Sequence, residues 1–179
     1  DCSKLLRRPI SIAGADPEKG LVEIIYRVVG EGTLLMSQMH EGDRLDCLGS
    51  LGTSFTIPDG ELVGVGGGVG IAPILFTARR AKVGQMTVVI GGRNREEVFW
   101  KDLFPHTLKN LIVTTDDGSY GVKGFTVSVL PEVFKHNTIK QTIVFGPAIM
   151  MKKTAEISKE AKVPCEVALE KRMGCGTGT

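Results

Sequence analysis

The segment with the most chemical content is Gly66-Gly67-Gly68-Val69-Gly70-Ile71-Ala72-Pro73, four glycines in five positions ahead of an apolar stretch. Without a Cβ, glycine takes φ values closed to other residues and lets backbone approach a ligand closely. A helix opening here offers free N–H groups and the positive end of its dipole, a match for a pyrophosphate. Pro73 suits the first helical turn, where its missing N–H leaves nothing unsatisfied. The pattern differs from the G-x-G-x-x-G fingerprint, and no Lys-Ser/Thr follows the glycines as in a P-loop. A tight strand-to-helix turn without ligand would use glycine too; the density of glycine favours a dinucleotide.

Other polar or glycine-bearing segments follow apolar runs: Gly91-Gly92-Arg93-Asn94-Arg95, Thr115-Asp116-Asp117-Gly118-Ser119 and Gly146-Pro147. In open α/β sheets, ligands bind beyond the carboxyl ends of the strands, so these turns are expected to converge on one crevice. Arg93 or Arg95 would meet a ribose or phosphate there, or remain a solvated surface arginine. Near the amino end, Arg8-Pro9-Ile10-Ser11 joins a guanidinium able to grip phosphate bidentately to a serine hydroxyl. Ile25-Tyr26-Arg27 lies on the next strand, and Gly32-Thr33 opens a helix, a second natural anion site.

Two kinds of scaffold must hold these groups. Residues 5–58 read as β-rich. Leu21 to Val29 is a β-branched run and is expected as a strand. Thr33 to Met39 is expected as a helix with Thr33 as N-cap, followed by an apolar segment from Leu45 to Leu48. Pro58-Asp59-Gly60 is a turn signal and the expected domain boundary. Beyond it, apolar runs at Leu62–Val65, Met86–Ile90, Leu111–Thr115, Thr142–Phe145 and Cys165–Leu169 alternate with helical stretches near 71–82, 96–104, 124–135 and 147–161. That alternation predicts βαβ units and a parallel sheet covered on both faces.

Composition excludes several classes. A chain of 179 residues with 42% hydrophobic and 23% charged residues is ordinary for a globular protein. A net charge of +2 and 6% aromatics argue against nucleic-acid partners. No apolar run is long enough to cross a bilayer, and a reducing cytoplasm is the expected compartment. Cys47 and Cys165, in apolar runs, are expected as buried thiols. His40, His106 and His136 lack partners at catalytic spacing. Asp116-Asp117 is expected to turn the chain and cap the next helix. Met150-Met151 is expected to start a helix packed under the crevice.

Together these segments resemble the ferredoxin-reductase superfamily: Arg-Pro-x-Ser, a strand ending in Arg27, Gly30-Glu31-Gly32-Thr33, the Gly66–Pro73 turn and Phe145-Gly146-Pro147, in that order. The tail Leu169-Glu170-Lys171-Arg172-Met173-Gly174-Cys175-Gly176-Thr177-Gly178-Thr179 narrows the resemblance to the electron-transfer subunit of class 1B dihydroorotate dehydrogenase. The resemblance implies an α/β plus β fold. It has a partial FAD-binding β-barrel over 1–59, a Rossmann-like parallel-sheet NAD-binding domain over 60–168, and the start of a [2Fe–2S] segment over 169–179. Cys175 would be the first of four thiolate ligands, the next falling after Thr179; the amino end looks similarly shortened. By resemblance, FAD would be held by Arg8, Pro9, Ile10, Ser11, Ile25, Tyr26, Arg27, Gly32 and Thr33. NAD would be held by Gly66, Gly67, Gly68, Gly70, Pro73, Gly91, Arg93, Asp117, Gly146 and Pro147. No side-chain nucleophile or acid–base pair is implied, because the cofactors carry the chemistry. The implied partner is a catalytic FMN-containing dihydroorotate dehydrogenase subunit in a heterotetramer, feeding pyrimidine biosynthesis. Two rivals stand beside this: a reductase subunit of a hydrogenase, sulfite reductase or ferredoxin-dependent transhydrogenase, and a non-catalytic binding module.

Overall fold

The computed structural model describes residues 6–135 and 138–169. Its front part holds β1 (Ile12–Asp16), β2 (Leu21–Ile24) and helix α1 (Glu31–Ser37). The two strands form an antiparallel ladder in which Ile12 faces Ile24 and Asp16 faces Leu21. The rest alternates: β3 (Glu61–Gly67), α2 (Ile71–Arg80), β4 (Met86–Gly92), β5 (Asn110–Thr115), β6 (Val122–Lys123), α3 (Leu130–Phe134), β7 (Ile139–Phe145), α4 (Ala148–Glu160) and β8 (Cys165–Val167). These six strands form one parallel sheet in the order β6-β5-β4-β3-β7-β8. The expected α/β plus β class is therefore present.

Alternation along the strands supplies two cores, because successive side chains point to opposite faces. Leu62, Val88 and Ile90 join Ile71, Ile74 and Leu75 of α2 on one face. Val63, Val65, Val89 and Val144 join Leu130, Phe134 and Met151 on the other. The β1–β2 ladder docks on the first of these through fully buried Ala13. Arg79, at the end of α2, donates to the Ala13 carbonyl at 3.2 Å and pairs with Glu23 at 3.0 Å.

Several elements differ from the sequence expectation. The run from Leu21 to Val29 is a strand only to Ile24, and Val28 and Val29 are exposed. The β1 partner ends at Ile12, so the later β-branched residues have no ladder to join. Leu45 to Leu48 forms no element, and both leucines are half exposed at 48%. The stretch expected as a helix near 96–104 is a 3-10 segment, Arg95–Leu103, broken at Val98 (φ −107°, ψ 23°). Near 124–135 a 3-10 turn, Thr126–Val129, precedes a short α3. Strand β6 has two residues, too few to show any periodicity.

The expectation of two buried thiols holds only in part. Cys165 is half-buried beside Ser158, and burial pushes its thiol pKa up. Cys47 is exposed, because its apolar neighbours join no element. At neutral pH, brief treatment of the folded chain with a thiol reagent is expected to modify Cys47 well before Cys165, since the thiolate is the reactive form. Peptide mapping of the alkylated protein checks this; equal modification would contradict the burial of Cys165.

Candidate functional site

Strand order reverses at β3, with β4 on one side and β7 on the other. The carboxyl ends of β3 and β7 therefore stand at the switch point, where doubly wound sheets bind nucleotides. Both expected turns are there. Gly67 leads into a 3-10 turn, Gly68–Gly70, that runs directly into α2. Gly146 and Pro147 lead into α4, with Pro147 as its N-cap. Two helix starts thus flank the switch point, each with amides that its own helix leaves unpaired.

The glycines of this turn serve two needs. Gly66 and Gly67 are buried, and a Cβ would meet Ile71 at 3.1 Å and Met150 Sδ at 2.8 Å, respectively. Gly70 is pressed on the other loop: its Cβ would lie 2.7 Å from both the carbonyl carbon and oxygen of Phe145. Gly146, at φ +145°, would place a Cβ 3.0 Å from the Gly67 carbonyl oxygen. Only Gly68 of the quartet is both exposed and left-handed (φ +57°), with nothing within 4 Å of its Cβ position. Most of the glycine density thus lets the two loops touch, and Gly68 presents backbone outward. Pro73 falls in the first turn of α2 as expected, and its carbonyl accepts from Thr77 Oγ1 at 3.0 Å. Met150 and Met151 pack beneath these turns.

The ends of β4 and β5 continue this edge of the sheet. Gly91 is buried, and a side chain there would collide with Thr126 and Thr114, so it serves packing rather than ligand approach. Arg93 is bound to Glu97. Its Nε donates to Glu97 Oε1 at 2.7 Å, Nη2 donates to the same oxygen, and its backbone N–H donates to Oε2 at 2.9 Å. Asn94 caps the following segment by accepting from the Glu96 and Glu97 amides. Arg95 is held through its N–H to Ser119 Oγ at 2.8 Å. Asp117 donates its amide to the Arg93 carbonyl at 3.2 Å and accepts from Ser119 N–H at 2.9 Å. This is a turn within the β5–β6 connection. It caps no helix, because the chain runs on into β6 instead.

In the front part, Arg8 to Ser11 enters β1 and Ile25 to Arg27 leaves β2. The Ile12–Ile24 pairing places both at the same end of the ladder. Ile10, Ser11, Ile25 and Tyr26 are half-buried, while Arg8, Pro9 and Arg27 are exposed. Arg8 lies against the start of α1: a Cβ on Gly32 would be 2.9 Å from its Nε. Thr33 is not the N-cap. Gly30 holds that position, and Thr33, three residues on, accepts from the Val29 and Gly30 amides at 3.0 and 3.2 Å and donates to the Gly30 carbonyl. Those bonds use the whole capacity of the hydroxyl, so only the backbone of Thr33 remains for a ligand. The Arg27 charge adds a small push to the lowering of the Glu97 carboxyl pKa, which comes mainly from Arg93.

Sequence reading missed Glu97, although its position four residues after Arg93 was a usable signal. It also missed Phe55 against Phe145, with ring centroids 4.7 Å apart. It missed Glu166, which accepts from the Thr56 amide at 3.2 Å. Both tie the segment before β3 to the end of the sheet, and neither leaves a local trace. His40 and His106 are exposed, as expected of surface residues. His136 and Cys175 lie outside the described residues. Among those residues no three His, Cys, Asp or Glu side chains gather to hold a metal.

Hydrogen bonds depress several carboxyl pKa values: Glu97 mainly through Arg93, Asp117 mainly through Ser119, Asp59 through Lys82 and Asp46 through Arg7. Each folded value lies below its unfolded one, so between the two the unfolded chain binds more protons. Stability is therefore full above the ordinary carboxylate range and declines as pH falls through the depressed folded values. Urea midpoints measured at decreasing pH are expected to fall in that window, with a smaller fall in Glu97→Gln.

No protein-family model matches the chain. Among characterised proteins, the electron transfer subunit of dihydroorotate dehydrogenase B (NAD(+)) from Desulforamulus reducens is 41% identical over 178 residues, covering 97% of this chain and 68% of that protein. The chain belongs to this family. The counterpart from Caldanaerobacter subterraneus is 40% identical over 183 residues, covering 99% of the chain and 70% of the protein. Members of the dihydroorotate dehydrogenase B electron transfer subunit family are thus matched over about two thirds of their length.

Solved structures agree on the fold of this family member. A structure described for NADH-dependent reduced ferredoxin-NADP oxidoreductase superposes with a TM-score of 0.84 at 35% identity, covering 97% of the chain and 64% of that protein. An Amycolatopsis cytochrome P450 reductase, at 21% identity and a TM-score of 0.67, shares the fold. Among the described residues of this electron transfer subunit, no helix is long and apolar enough to cross a membrane.

Proposed function

We propose that this chain passes electrons between NAD(H) and a flavin, acting with a catalytic partner that oxidises dihydroorotate to orotate. The observation that carries the reading is a pair of anion-ready sites. One is the outward Gly68 backbone between the starts of α2 and α4. The other is Arg8 against the start of α1. The residues present fit two dinucleotides. Gly66, Gly67, Gly68, Gly70, Pro73, Gly146 and Pro147 would shape the nicotinamide site, with Arg93 and Asp117 on its ribose side and Gly91 packed behind them. Arg8, Pro9, Ile10, Ser11, Ile25, Tyr26, Arg27, Gly32 and Thr33 would hold FAD. When bound, the pair supplies hydride transfer.

The chain's own task is positional. Arg8 and the first amides of α1 offer positive charge to a phosphate. The Gly67–Gly70 and Gly146 contact fixes how far apart the two helix starts stand. The division at Pro58–Gly60 is a proposal of the same kind, with residues 1–59 serving flavin and 60–168 serving nicotinamide. The tail motif supports Cys175 as one thiolate of a [2Fe–2S] cluster. Such a cluster is held by four thiolates. The catalytic FMN-bearing partner, the heterotetramer and the cytoplasmic setting are inferred from the same family.

The test uses the full-length protein alone for its own flavin bands and their response to NADH, and separate samples with the partner for dihydroorotate, all under anaerobic conditions. Visible flavin bands that bleach on adding NADH, and again on adding dihydroorotate, are the expected result. A folded but colourless protein, or bands indifferent to NADH, would overturn the reading. The 35% identical ferredoxin-NADP oxidoreductase structure favours a second reading, a subunit exchanging electrons with ferredoxin. Bleaching by reduced ferredoxin but not by dihydroorotate would select it.

A further inference from the structure

Arg93 stands just past the carboxyl end of β4, the strand next to β3 and its glycine turn. In dinucleotide folds this is where an arginine accepts the 2′-phosphate of NADP, or where an acid meets the free 2′-hydroxyl of NAD. The sequence alone, with Arg93 at this position, left both open. The structure adds what Arg93 is bonded to. Glu97 takes two guanidinium nitrogens on one carboxylate oxygen and the Arg93 amide on the other. The collar fixes backbone and side chain of one residue with one carboxylate.

We propose that Glu97 determines nucleotide choice by neutralising Arg93, so that this site takes a dinucleotide with a free 2′-hydroxyl and rejects one bearing a 2′-phosphate. The inference rests on the nicotinamide reading given above. Three features carry it. The Glu97 carboxylate holds two of the guanidinium nitrogens, Nε and Nη2, that could otherwise grip a phosphate bidentately. Asp116 is close enough to act on Arg93 as a second negative charge. The Asp116 and Asp117 amides are tied back to the Gly92 and Arg93 carbonyls at 3.1 and 3.2 Å, which holds this acidic turn beside the arginine. A 2′-phosphate placed here would face Glu97 and Asp116 together, with the Arg93 guanidinium already engaged. The pair is exposed, so its own energy is small; its effect lies in local charge.

The isosteric Glu97→Gln change keeps an acceptor for the Arg93 amide and removes the charge. The full-length protein is titrated with NADH, NADPH, AMP and 2′-phospho-AMP by calorimetry at low and moderate salt. Wild type is expected to prefer NADH and AMP. In Glu97→Gln the affinity for NADPH and 2′-phospho-AMP is expected to rise about tenfold relative to their unphosphorylated counterparts. The gain should shrink as salt increases. Arg93→Ala in the Glu97→Gln background is expected to remove it. A merely structural role for Glu97 would weaken all four ligands alike and leave their ratio fixed, and that result overturns the proposal. Wild-type protein that binds no NADH would overturn the nicotinamide reading and this inference with it. Wild-type protein that binds NADH, with an unchanged ratio in the variant, overturns this inference alone.

Discussion

Gly70→Ala is expected to lower the stability of the folded chain by about 2 to 3 kcal/mol and to abolish detectable NADH binding. The backbone dihedrals there are ordinary (φ −63°, ψ −7°), so alanine is not excluded by conformation. It is excluded by space. The new Cβ would lie 2.7 Å from the Phe145 carbonyl carbon and oxygen and 2.8 Å from the Gly146 amide nitrogen. These are main-chain atoms at the end of a central strand, and no rotamer change relieves them. The β3 and β7 loops must part, and the helix starts they carry move with them. Gly68→Ala is the control for stability only, since its backbone belongs to the proposed nucleotide site. Its Cβ would meet nothing within 4 Å, so the penalty there is only that of a left-handed alanine, about 1 to 2 kcal/mol. Urea unfolding of both variants and calorimetric titration of Gly70→Ala against the unsubstituted protein check this. A Gly70→Ala protein that binds NADH normally would show that the two loops need not touch.

Ile74→Ala is expected to destabilise the chain by about 3 to 4 kcal/mol, the range for removing a large, fully buried aliphatic side chain. Ile74 has no exposed surface and lies in the cluster shared by α2, the sheet and the β1–β2 ladder. It also covers two glycines of β3: Cβ positions on Gly64 and Gly66 would meet it at 3.3 and 3.4 Å. Those glycines contribute no side chains to close the cavity. The site collapses poorly, which places the change in the upper part of the usual range. Equilibrium urea denaturation gives the value. A loss below about 1 kcal/mol would mean that α2 does not pack on β3 as described.

The helix starts and strand ends were legible because local chemistry governs them. The runs at Leu62–Val65, Met86–Ile90 and Thr142–Phe145 are apolar enough to be strands buried on both faces, and each is one. Pro73 and Pro147 marked the openings of α2 and α4 because proline fits only the first turn of a helix. The glycine quartet announced a close approach, though not what approaches. Three of its members are filled by Ile71, Met150 and Phe145, residues up to some eighty positions away, and only Gly68 faces outward. The segment Leu45 to Leu48 misled for the same reason. Apolar composition promises burial, but burial needs a packed neighbour, and both leucines stay about half exposed at 48%.

By itself the sequence determined the α/β alternation, the place of the glycine turn and the family tail, since each depends on residues close together in the chain. Tertiary structure alone decided the strand order that makes β3 and β7 neighbours. It also decided that Arg8 lies against α1, that Phe55 packs on Phe145, and that the β1–β2 ladder rests on α2. Those pairings join segments separated by tens of residues. Their energies depend on distance in space, which no local pattern of residue types encodes.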